Sequence, residues 1–126
     1  MKKLMVVCVV LAVGVLSACS GGGYKTITAQ QAKTMMDQSS SYILVDVRTE
    51  QEYASGHIKG AILIPNTEIK NQAASQLPDK KETIFVYCQS GVRAASAAKD
   101  LAGMGYTNVY DMGGLNSWTY GTVTTG

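Results

Sequence analysis

Cysteine is scarce in this chain of 126 residues, occurring only as Cys8, Cys19 and Cys88. Aromatic residues make up 7% and charged residues 16%, with a formal net charge of +2. There is no basic stripe and there are few aromatics to interleave with one, so nothing argues for nucleic-acid recognition. There is no internal repeat, and no low-complexity tract beyond the short clusters Gly21–Gly23 and Ser39–Ser41. Such a composition and length fit one globular domain with room for a single core. Met35, Met36, Met104 and Met112 form no pattern of copper ligands and read as core filler or helix surface.

The one long apolar run, Leu4 to Leu16, follows the basic start Met1-Lys2-Lys3. It is too short to cross a bilayer as a helix but has the length of a signal-peptide hydrophobic region. It ends in Leu16-Ser17-Ala18-Cys19, which resembles the lipobox of bacterial lipoproteins. That resemblance implies cleavage before Cys19, a diacylglyceryl group on its sulfur and a further acyl chain on the new amine. Several chains anchor stably where one is marginal. Ordinary secretory cleavage near Ala18, leaving Cys19 a free thiol, is the alternative. The expected organisation is a cleaved lipoprotein signal peptide over 1–18, a lipidated cysteine and Gly-rich tether over 19–25, and a domain over 26–126. The domain is then expected in the cell envelope, on a bacterial membrane and facing the periplasm or exterior.

Cleavage changes the counts. Of eleven basic residues, Lys2 and Lys3 leave with the signal, so nine face nine acidic residues and the net charge falls to zero. Cys8 is discarded and Cys19 carries lipid, so Cys88 stands alone. It then has no disulfide partner, no second thiolate for a structural zinc site and no resolving cysteine for redox chemistry.

Strand-like and helix-like patterns alternate along the domain. Thr28-Ala-Gln-Gln31 is a capping box that predicts a helix to about Asp37. Thr49-Glu-Gln-Glu52 is a second, opening a short helix that Gly56 stops. The runs Tyr42–Val47, Ala61–Ile64, Thr83–Tyr87 and Asn108–Met112 read as buried strands. Helices are expected over Thr67–Leu77, before Pro78, and over Arg93–Ala102, ended by Gly103. The alternation predicts an α/β fold with a mainly parallel central sheet and helices on both faces. Ligand sites in such sheets lie beyond the carboxyl ends of the strands, which is where Cys88 falls.

The loop Cys88-Gln-Ser-Gly-Val-Arg93 joins a buried strand to a helix. A turn of this kind converges backbone N–H groups on one point, and the helix N-terminus adds partial positive charge. Gly91 supplies the conformational freedom, and Arg93 a planar donor fork suited to oxyanions. A thiol in that field is expected to ionise readily, as a nucleophile must. A buried structural cysteine is the bland alternative, but packing alone does not call for Gly91 and Arg93.

The chain resembles the single-domain rhodaneses, sulfurtransferases of the rhodanese-like fold, over roughly Lys25 to Trp118. The resemblance is carried by Leu44-Val-Asp-Val-Arg48, Glu52-Tyr53, Gly56-His-Ile-Lys-Gly-Ala61 with Ile64-Pro65, the Cys88–Arg93 loop, Leu101–Tyr106 and Gly113-Gly-Leu-Asn-Ser-Trp118. It implies that Cys88 takes sulfane sulfur from thiosulfate or a related small anion, becomes a persulfide, and yields the sulfur to a thiol or cyanide. It further implies that the loop at Gln89, Ser90, Gly91, Val92 and Arg93 cradles the persulfide and that Arg93 attracts the donor. No metal or organic cofactor is implied, and the chain is expected to be a monomer. A persulfide relay serving a partner protein is the second reading. A related phosphatase is more distant, because its loop is one residue longer than the four residues between Cys88 and Arg93.

Other polar residues are expected to support the fold. The resemblance assigns Asp46 and Arg48 to bracing, with Arg48 expected to pair with Glu52. His57, the only histidine, is assigned to ordering a turn rather than to acting as a base. Trp118 and Gly113-Gly114 are expected to dock the C-terminal segment.

Overall fold

A computed structural model describes residues 23–125. The expected signal peptide and lipidated Cys19 lie outside the described residues. The elements are β1 (Lys25–Thr26), α1 (Ala29–Asp37), β2 (Ile43–Asp46), α2 (Glu50–Ser55), β3 (Ile62–Leu63), α3 (Ile69–Gln76), β4 (Ile84–Cys88), α4 (Val92–Gly103) and β5 (Val109–Gly114). Every strand pairing is parallel, in the order β1-β5-β4-β2-β3. This is the expected α/β architecture, with β4 at the centre and Cys88 as its last residue.

The two-residue period of the strands builds two half-cores. Val45, Ile84, Val86 and Cys88 face Ile69, Ala73 and Leu77 at α3 and Ala94, Ala97, Ala98 and Leu101 of α4. Leu44, Phe85 and Tyr87 face Ala32 and Met36 of α1 on the other side, together with Ile58, Ala61 and Met112. All of β4 is buried, as a central parallel strand must be. A fully buried Leu or Ile such as Leu101 or Ile84 contributes about 1.5–3 kcal/mol.

Both capping boxes form as expected. Thr28 caps α1 with Gln31, and Thr49 caps α2 with Glu52. Three elements differ from the sequence reading. Lys25 belongs to β1, paired with Tyr110 of β5, rather than to a tether. The expected helix over Thr67–Leu77 begins as a 3-10 turn at Asn66–Glu68 and becomes α-helical at Ile69. Helix α4 runs through Gly103 and stops at Gly105, whose φ of +102° suits glycine. The bonds Gly105 N–H to Ala102 O and Tyr106 N–H to Leu101 O close that end in a Schellman pattern.

The carboxyl ends of the strands are tied by a buried ion pair. Arg48 donates to Asp46 through its backbone N–H at 2.9 Å, Nε at 3.0 Å and Nη2 at 2.7 Å. The Tyr87 hydroxyl donates to the same carboxylate at 2.8 Å and accepts from Ile58 N–H at 3.0 Å. Burial, with the Asp46 charge adding to it, pushes the Tyr87 pKa well above its ordinary value, so the phenol stays a donor. Burial works against the Arg48 charge, but the Asp46 hydrogen bonds and charge leave its pKa raised. The expected Arg48–Glu52 pair is therefore corrected: Arg48 is held by Asp46. Asp46→Asn, which strands a buried guanidinium, is expected to cost about 3–5 kcal/mol in urea denaturation. Tyr87→Phe, removing one neutral donor, is expected to cost about 1–2 kcal/mol.

Candidate active site

Cys88 ends β4, and Gly91 opens α4 with φ +108°. Only glycine adopts that conformation at little cost, and it turns the Gly91 N–H back onto Cys88 Sγ at 2.9 Å. The Ala94 N–H also points at the sulfur, at 3.3 Å. The N-cap residue Gly91 has no side chain to cap α4; the Cys88 thiol accepts from the first-turn amides in its place. The positive end of the helix dipole is thereby aimed at the sulfur. Cys88 is fully buried.

The remaining loop residues do different work. Gln89 is turned away from the sulfur. Its Oε1 accepts from Arg48 Nη1 at 3.3 Å, and its Nε2 donates to Asn116 Oδ1 at 3.0 Å. The Gln89 carbonyl accepts from Asn116 N–H at 3.1 Å. Ser90 and Val92 lie exposed at the mouth, Val92 at 75%. Arg93 does not present a free fork. Its Nη1 and Nη2 donate to the two carboxylate oxygens of Glu52 at 2.8 and 3.1 Å. The Arg93 hydrogen bonds lead, followed by the Thr49 backbone N–H, in holding the Glu52 pKa down to about 2. The hydrogen bond to Glu52 likewise raises that of Arg93.

The end of β5 braces the loop. Gly114 is extended, so its backbone strains no residue, but a Cβ there would overlap the Gln89 carbonyl and Ser90 N. The Gly113 Cα lies 3.6 Å from where a Gly91 Cβ would sit, an ordinary contact distance. Of the Gly113-Gly114 pair, Gly114 thus shapes the Cys88 loop instead of merely docking the C-terminus. His57 stands apart from this chemistry. Its ring stacks on Tyr53 at 3.7 Å, its Nδ1 contacts Tyr53 O at 2.8 Å, and its backbone pairs with Val123. Trp118 packs against the α1-side core and donates Nε1–H to Gly121 O at 2.9 Å.

The sequence reading missed Glu52 as the Arg93 partner, the Ala94 amide, and Gly114 and Asn116 as braces. Glu52 and Arg93 are 41 residues apart, and Asn116 and Gln89 are 27 apart. Only the Gly-Gly-Leu-Asn block itself was available as a signal. Gly114→Ala is expected to displace the Gln89–Ser90 backbone and to lower activity by about tenfold or more. Its stability cost is expected to be about 1–3 kcal/mol, read from assay and denaturation of the same preparation. Because the Glu52 pKa is lower in the folded chain, the ion pair stabilises fully above about pH 4.5 and loses that contribution as pH falls toward 2. Glu52→Gln is therefore expected to lower the urea midpoint near neutrality, with the gap to wild type closing in acid.

A model of the rhodanese-like domain matches residues 28–120. The chain is 44% identical over 71 residues to the thiosulfate sulfurtransferase PspE of Escherichia coli (strain K12), covering 56% of this chain and 68% of that protein. It is 38% identical over 96 residues to the thiosulfate sulfurtransferase GlpE of Haemophilus influenzae (strain PittEE), covering 75% and 88%. Among solved structures, a rhodanese with anions from E. coli matches with a TM-score of 0.64 and 38% identity, over 68% of this chain and 100% of that one. A rhodanese-like domain protein from Staphylococcus aureus matches with a TM-score of 0.69 and 31% identity, over 81% and 99%. The family match takes in the Cys88 loop and the β5 end that braces it, and the chain belongs to the rhodanese-like domain family.

Proposed function

We propose that this protein is a sulfurtransferase that carries sulfane sulfur on Cys88. The observation that supports this most directly is the pair of backbone N–H groups, Gly91 and Ala94, converging on Sγ at the start of α4. The curated relatives named thiosulfate sulfurtransferases support the donor class. In the first step the Cys88 thiolate attacks the outer sulfur of thiosulfate. A new S–S bond forms, the donor's S–S bond breaks, and sulfite leaves with the electron pair. In the second step a thiol or cyanide attacks the outer sulfur of the persulfide, and the Cys88 thiolate departs. Both forms of the sulfur carry negative charge, which the two amides and the helix dipole stabilise. The loop residues Gln89, Ser90, Gly91, Val92 and Arg93 line the persulfide's surroundings on this reading.

A relay to a partner protein is the second reading. Discharge that is slow to cyanide and fast to a protein thiol would distinguish the relay.

The N-terminal pattern supports placement in the cell envelope, with Cys19 lipidated after removal of residues 1–18. Wild type is expected to form thiocyanate from thiosulfate and cyanide, and Cys88→Ser to form none. Intact-mass measurement of membrane-extracted protein is expected to show one added sulfur on Cys88 and acyl chains on Cys19. Absence of sulfur transfer with thiosulfate, polysulfide and persulfide donors alike, with no added sulfur in the mass, would overturn the enzymatic reading.

A further inference from the structure

The cation that the loop offers to a donor already has an occupant. The Glu52 carboxylate sits in the Arg93 fork with both oxygens engaged. An oxyanion with two oxygens side by side would bind the same way. Glu52 is also held from its own side. Oε1 accepts from Thr49 N–H at 3.0 Å and Thr49 Oγ1–H at 3.1 Å, through the capping box that starts α2. Both partners are partly buried, with side-chain exposures of 35% for Arg93 and 34% for Glu52. The pair is formally neutral, so the fixed attraction at the sulfur comes from the Gly91 and Ala94 amides.

We propose that Glu52 is a specificity-determining residue that fills the anion seat of Arg93 and so biases the site against dianionic donors such as free thiosulfate. A neutral or singly charged sulfane donor, an organic polysulfide or persulfide, loses nothing to this competition. A dianion must either displace an anchored carboxylate or bind beside it against like charge. The inference rests on the sulfur-transfer reading for its biological meaning, but its physical content is the anion affinity of the loop.

Glu52→Gln is the informative change, since the amide oxygen preserves an acceptor for the Thr49 N–H while the charge goes. In the Cys88→Ser background, where no covalent step follows, calorimetric titration with thiosulfate is expected to show binding tightened by about fivefold or more. Glu52→Asp, which keeps the charge, is expected to return affinity toward that of the unmodified position. In the Cys88-containing chain, kcat/KM for thiosulfate is expected to rise by a similar factor through KM. The value for a neutral dialkyl trisulfide is expected to stay unchanged. Thr28→Ala, which weakens a remote cap, controls for lost stability and is expected to alter neither selectivity nor anion binding. Thiosulfate affinity that is equal, weaker or undetectable after Glu52→Gln overturns the proposal. If no variant transfers sulfur, the functional reading fails while the titration still decides the role of Glu52.

Discussion

The Asp46 carboxylate accepts from the Arg48 backbone, from the Arg48 guanidinium and from the Tyr87 hydroxyl, all out of water. Arg48 in turn reaches the Gly56 carbonyl at 2.6 Å and the Gln89 side chain, while Tyr87 receives the Ile58 amide. Segments following β2, α2 and β4 are therefore fixed to one another by a single buried charge pair. Desolvation offsets much of the Coulomb attraction in such a pair, so its contribution is geometric more than energetic. Gln89, gripped between Arg48 and Asn116, transmits that geometry to the loop.

What sits inside that frame is mostly backbone. The two donors to Sγ are amides, and neither depends on a flexible side chain finding its rotamer. Such groups are oriented before any ligand arrives and need little reorganisation when charge develops. The glycines serve this end. Gly91 turns its amide inward, and Gly114 lets β5 approach the loop so closely that no side chain fits between them. The loop's one strong cation is meanwhile restrained by Glu52 of α2.

The local grammar of the chain was readable in advance. Both Thr capping boxes, the buried strands and the turn from Cys88 into α4 follow from residue type and spacing, because each is decided within a few positions. Failures fall where the deciding partner is distant or the signal too short. Lys25–Thr26 is a strand only because β5 offers Tyr110 and Asp111 as partners, and two residues carry no period. Gly103 lies nearer the expected helix end than Gly105, but the closing bonds go to Leu101 and Ala102 from beyond it. Arg93 looked free because Glu52 already had a local role in its capping box, and nothing in the sequence says that one carboxylate does both. The brace at Gly114 is a matter of backbone clearance, which residue identity signals only as a glycine.

The thiol that caps α4 makes the sulfur part of the secondary structure. A helix that starts on a sulfur atom senses what that atom carries, since its first-turn amides donate to Sγ instead of to a serine or aspartate oxygen. On the proposed sulfur-transfer reading, loading or discharge of Cys88 alters the acceptor of the Gly91 and Ala94 amides, and the opening rate of the first turn changes with it. Amide exchange at those two positions thus reports the chemical state of the sulfur without any label on it.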